Sequence, residues 1–137
     1  MLVRLLEVIW YYRRGWQTIK YPHPDWFTIE FWIDRMDRDK IPILDLHIGE
    51  HIPGDEPELA LNILGGRDEY ALMIYDRGNI LYYYDSSRGD SVIEILESDR
   101  GSYQSTKSLC NDRNLLLLIT RYFTETGKAF PGVEWRD

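Results

Sequence analysis

The chain has 137 residues, with 16 Lys and Arg against 23 Asp and Glu, a formal charge of −7, and a single cysteine. Domains run to about 100–200 residues, so one domain is expected, long enough to bury a core without a metal or a disulfide. The acidic balance lacks the basic stripe that holds phosphate backbones, so direct nucleic-acid binding is disfavoured, while basic protein partners are favoured.

From the N-terminus, Arg4 and Glu7 interrupt the apolar residues of Met1–Glu7. That disagrees with the apolar centre of a signal peptide, and together with the lone Cys110 it predicts a reducing, cytoplasmic setting. No apolar run is longer than Tyr70–Tyr75, whereas a membrane span needs about 20 residues, so no membrane association is expected.

Val8–Tyr12 and Trp16–Lys20 read as two strands joined by Arg13-Arg14-Gly15, a three-residue hairpin loop. Pro22 and Pro24 should stop strand pairing, because neither donates a ladder hydrogen bond. Ile29, Trp32, Ile33 and Met36 recur at helical spacing, although Phe27, Ile29, Phe31 and Ile33 also alternate like a strand. Pro24 suits a first helical position and the segment to Arg38 is long for a strand, so a helix is predicted.

Strands follow around Leu44–Ile48, Leu59–Ile63, Tyr70–Tyr75 and Ile80–Tyr84, the last two apolar enough to be central and covered on both faces. Asp76–Asn79 reads as a turn in which Gly78 takes positive φ, and Gly65-Gly66 as another turn rather than a phosphate loop, since no Lys-Ser or Lys-Thr follows. Ser91–Leu96 is expected as an edge strand and Ser98–Cys110 as loop. Asn111 or Asp112 should cap a second helix whose stripe is Leu115, Leu118, Ile119 and Tyr122. Gly127 is placed for a left-handed stop, and Val133–Trp135 for a short last strand. The predicted architecture is α+β, a single domain in which an antiparallel meander packs against two helices.

Candidate chemistry is sparse. His47-Ile48-Gly49-Glu50-His51 spells an inverted zinc-peptidase motif, H-x-x-E-H. That chemistry needs both histidines on one helical face; on a strand they stand about 13 Å apart, which favours a polar strand-end histidine. A small metal-dependent hydrolase using His47, Glu50 and His51 is the alternative this spelling leaves open. Cys110 has no histidine placed by any local signature, so a buried thiol at a helix start is expected. Asp55-Glu56 and Asp68-Glu69 lack a pattern suggesting burial, hence any reason for their pKa values to separate into acid and base. No cofactor, metal or small-molecule substrate is predicted.

Two acidic groups read as surface instead: Glu50, Asp55, Glu56 and Glu58 in a loop stiffened by Pro53 and Pro57, and Asp85, Asp90, Glu94, Glu97 and Asp99 further on. A solvated face is the ordinary role of such residues. The functional one is capture of a basic protein, with Glu50, Asp55, Glu56, Glu58, Asp85 and Asp90 supplying the field and Tyr82, Tyr84 or Tyr103 the anchor.

Several segments, in order, carry a resemblance: Trp32–Asp37, Leu44–Glu50, Leu61–Gly66 with Tyr70–Leu72, Leu109-Cys110, Tyr122–Lys128 and Pro131–Trp135. Together they resemble the first-numbered immunity-protein family of bacterial polymorphic toxin systems. The likeness covers nearly the whole chain, loosest over the first twenty residues. It implies a non-enzymatic cytoplasmic antidote that binds a cognate secreted toxin domain, one acting on nucleic acid such as a deaminase or nuclease, and occludes it. A non-toxin adaptor is a further alternative. The resemblance carries over no catalytic residue and does not say which surface meets the toxin.

Overall fold

A computed structural model describes residues 1–13, 15–49, 58–96 and 102–137. β1 (Leu5–Tyr12) and β2 (Gly15–Pro22) form a hairpin, and α1 (Trp26–Arg35) leads to β3 (Ile43–His47), β4 (Leu59–Gly66), β5 (Glu69–Asp76) and β6 (Asn79–Tyr84). After them come β7 (Val92–Leu96), β8 (Ser102–Ser105), a 3₁₀ turn (Thr106–Ser108), α2 (Arg113–Thr126) and β9 (Glu134–Arg136). Seven strands make one sheet in the order β2-β1-β3-β4-β5-β6-β9, every neighbour antiparallel, while β7 and β8 form a separate ribbon. The fold is α+β, an antiparallel sheet with two helices. Because β2 lies outside β1, α1 carries the chain back over β1 to reach β3.

One face of the sheet makes the core. Register aligns Leu6, Leu46, Leu61 and Ile74 in one row and Val8, Leu44, Ile63 and Leu72 in the next, all buried. Ile29 and Ile33 of α1 and Leu116, Ile119 and Phe123 of α2 close over them. Each such side chain contributes about 1.5–3 kcal/mol on burial.

The helix boundaries follow from their caps. Asp25 has extended backbone, and its carboxylate accepts from the Thr28 amide at 2.8 Å and the Thr28 hydroxyl at 2.7 Å. Pro24 therefore precedes the cap instead of opening the helix. α1 stops at Arg35 rather than reaching Arg38, because the Asp37 carboxylate accepts from the amides of Asp39, Lys40 and Ile41 and so stabilises a turn. Asp112 caps α2 by accepting from Asn114 and Leu115, and Gly127 ends it at φ 71°, donating its amide to Phe123.

Other expectations are corrected. Tyr12 pairs with Gly15, so the first hairpin loop is two residues, and Pro22 still pairs with Leu5 as the last residue of an edge strand. Gly65 and Gly66 belong to β4; the turn is Arg67-Asp68, both at positive φ. A Cβ on Gly66 would stand 2.6 Å from the Met36 carbonyl and the Asp37 amide, which explains the glycine by close approach of two backbones. β5 alternates between buried and half-buried, and in β6 Tyr83 alone is buried, so neither strand is covered on both faces. The stripe of α2 is Leu116, Ile119, Thr120, Phe123 and Thr124; Leu118 is 57% exposed. Thr120 and Thr124 tolerate burial because their hydroxyls donate to the carbonyls of Leu116 and Arg121. β7 pairs with β8 rather than with the main sheet, and the stretch expected as loop from Ser98 holds that strand and the 3₁₀ turn. No helix among the described residues is long and apolar enough to cross a membrane.

Candidate partner-binding surface

The end of β6 organises the surface. Strand alternation sends Tyr83 into the core and puts Tyr82 and Tyr84 together on the opposite face. β9 supplies their cross-strand neighbours, Arg136 beside Tyr82 and Glu134 beside Tyr84. The Arg136 guanidinium stands 3.7 Å from the centroid of the Tyr84 ring, a cation–π contact that fixes the ring while Tyr82 stays 46% exposed.

Beyond Tyr84 the chain leaves the sheet in an Asp-Ser-Ser turn. The Asp85 carboxylate accepts from the Ser87 amide at 3.0 Å and its hydroxyl at 2.6 Å. Glu134 accepts from the Ser86 amide at 2.8 Å and its hydroxyl at 3.2 Å. These hydrogen bonds favour the ionised forms and hold both carboxyls below their usual pKa. Between this turn, the Pro131–Glu134 segment and Leu115 of α2 lies a cleft of about 360 Å³ lined in part by Tyr84, Asp85 and Glu134.

The loop is tied from beneath. Arg88 makes a two-pronged pair with Glu69 at 2.8 and 2.9 Å and donates to the Leu109 carbonyl at 2.9 Å, with both charged side chains largely buried. The Asp85 amide donates to the Lys107 carbonyl at 2.7 Å, and the Lys107 ammonium reaches Asp90 at 3.2 Å. The Thr106 hydroxyl donates to the Gly89 carbonyl. Asp85 and Asp90 are thus gathered around one lysine, with Asp90 projecting into solvent, its side chain 85% exposed. Tyr103, on β8 just ahead of the same 3₁₀ turn, is 69% exposed and sits opposite Glu94.

Of the candidates named from sequence, Tyr82, Tyr84, Asp85, Asp90 and Tyr103 fall on β6, the loop after it and the β7–β8 ribbon. Glu58 does not join them. Its carbonyl accepts from Arg77 in the β5–β6 turn at 2.7 Å and its carboxylate pairs with Arg77 at 3.6 Å, which places it at the far end of β6, about 17 Å from Tyr84. Glu50, Asp55 and Glu56 lie outside the described residues, as do Glu97 and Asp99 of the second acidic set. Sequence reading missed Arg88, Lys107, Glu134 and Arg136. The Asp85-Ser86-Ser87 turn was the one available local signal, since hydroxyls after an aspartate favour such caps.

His47 lies on β3, with Nε2 2.8 Å from Glu7 Oε1 on the neighbouring strand. Register places Glu7, Asp45 and Asn62 in one row, where Asn62 donates to Asp45 at 2.6 Å, and His47 reaches Glu7 diagonally from the next row. His47 thus takes part in a strand-to-strand polar contact, on extended backbone rather than a helix; Glu50 and His51, the rest of the H-x-x-E-H spelling, lie outside the described residues. Cys110 is fully buried, donates to the Asp112 carbonyl at 3.4 Å, and has its thiol pushed up by burial, opposite to the shift an activated nucleophile needs.

No family model matches the chain, and no curated protein matches it. Among solved structures it is similar to the crystal structure of a hypothetical protein from Neisseria gonorrhoeae, with a TM-score of 0.60 and 18% identity over 95% of this chain and 92% of that one. That likeness concerns the fold.

Proposed function

We propose that this chain is an immunity protein that binds a cognate toxin domain and blocks it by steric occlusion, catalysing nothing itself. The observation that carries this reading is the joining, at the β6 end, of the exposed Tyr82 with Asp85 and Glu134, two acids held in their charged form, while Asp90 projects from the same loop and Tyr103 stands exposed on the adjoining ribbon. A toxin domain that handles nucleic acid presents a basic groove. Carboxylates fixed by Ser86 and Ser87 imitate the phosphates such a groove holds, and they need no reordering on contact. The −7 charge speeds encounter, and a tyrosine supplies the desolvated anchor. The ordered segments resembling the immunity family support the same reading. On it the protein works in the cytoplasm, where the toxin would act, and needs no cofactor.

Co-expression with the toxin domain encoded beside it, followed by pull-down and growth rescue, tests this. Wild type should co-purify and restore growth. Tyr82→Ala combined with Asp85→Asn should weaken capture at least tenfold, with the loss from Asp85→Asn alone shrinking as salt rises. Full capture by that double variant would remove the β6 end from the interface. Failure of the wild type to bind or rescue would overturn the immunity reading.

A further inference from the structure

The helical layer presents a second, chemically different surface. Phe27 and Phe31 lie one turn apart on α1, on the side away from Ile29 and Ile33, and Phe27 is 78% exposed. Leu118 projects from α2. Between the helices runs a groove of about 330 Å³ whose lining includes Trp26, Glu30, Leu117, Leu118 and Arg121. Single exposed apolar side chains are ordinary on a protein surface, but here Leu118 lines the groove itself and Phe27 follows Trp26, which lines it from α1.

Charge tells which partner fits. Although the chain is −7, α1 and α2 together carry three acids (Glu30, Asp34, Glu125) and three bases (Arg35, Arg113, Arg121). The opposite signs also stand on opposite walls of the groove, Glu30 on α1 and Arg121 on α2, where Arg121 is steadied by Glu125 at 3.2 Å and by the Trp26 ring. With the two acidic caps, Asp25 and Asp112, bonded to their own first-turn amides, a basic partner finds little net field here, whereas two copies of an acidic chain find a face on which they repel little.

We propose that this groove is a self-association surface, on which a second copy of the chain docks about a twofold axis. A twofold contact sets each patch against itself, so α1 of one copy lies over α2 of the other. Phe27 and Phe31 then cover the partner's Leu118, and Glu30 meets the partner's Arg121, each contact occurring twice. The helices occupy the core face of the sheet and Tyr82 the opposite face, so the dimer leaves both β6 ends open. This inference does not depend on the immunity reading.

Sedimentation equilibrium of the purified full chain over a range of concentrations decides it. The expected result is a reversible dimer that Phe27→Glu or Leu118→Glu weakens at least tenfold, with circular dichroism unchanged, and with melting unchanged at dilutions where the wild type is itself monomeric, because both side chains are exposed. Glu30→Arg should weaken the dimer, and Glu30→Arg with Arg121→Glu should restore it, a readout that separates charge pairing from any loss of folding. A monomer at every concentration overturns the proposal, as does a dimer indifferent to all four substitutions. A monomeric wild type whose toxin-domain capture is lost in Phe27→Glu overturns it too, by making the toxin domain the occupant.

Discussion

The two sides of the sheet are held by different forces. On the helix side, rows of Leu, Ile and Val meet α1 and α2, and the stabilisation is area removed from water. At the β6 end on the other side, the loop is fixed by the Arg88–Glu69 pair, by serine-donated hydrogen bonds and by Lys107. The contrast separates two jobs. The first side sets whether the chain folds; the second sets the shape and charge it displays, and can be altered with the core intact.

The largest effect expected from testing this contrast is in the core. Phe123→Ala removes a fully buried ring and should cost about 3–5 kcal/mol in chemical denaturation, enough to unfold a marginal domain. A loss below about 1 kcal/mol would mean that α2 is not the main lid of the core. Next is Arg88→Ala, which strands Glu69 and the Leu109 carbonyl in a largely buried place. It should cost about 2–3 kcal/mol. Replacing both partners, as Arg88→Met with Glu69→Met, should recover much of that while altering the loop; equal losses in the two variants would show that packing rather than charge holds it.

The smallest effect is a pH dependence. Asp85 and Glu134 have folded pKa values below their ordinary 3.8 and 4.5, so the native state binds fewer protons than the unfolded one. Their contribution is complete above those ordinary values and disappears as pH falls through the lowered ones. Denaturation midpoints measured from pH 6 to about pH 3 should therefore drop less steeply for Asp85→Asn with Glu134→Gln than for wild type. Parallel profiles would show that the serine bonds do not form in solution.

What was legible in the sequence follows the same division. Caps and turns are local, and Asp112, Gly127 and the Asp76–Asn79 turn are where the residues put them. Strand alternation in β3 and β4 is equally local and gave the core rows. The phase of α2 was not legible, because four consecutive leucines fit several stripes and the decisive buried positions are threonines satisfied by their own helix. β8 was hidden because Ser-Tyr-Gln-Ser carries no apolar alternation; its partner is β7, not the core. The candidate surface was half legible: its tyrosines and aspartates stand out, but Arg88 meets Glu69 across nineteen positions and Arg136 reaches Tyr84 from the end of the chain.

Tyr70 and Cys110 exchange both backbone hydrogen bonds, at 2.9 and 2.7 Å, on the flank of β5 that β6 has already left. That exchange welds the approach to α2 onto the sheet, and Arg88 grips the carbonyl one residue earlier. The loop and the start of α2 thus share one anchorage on β5, so a substitution that frees Arg88 should loosen both together.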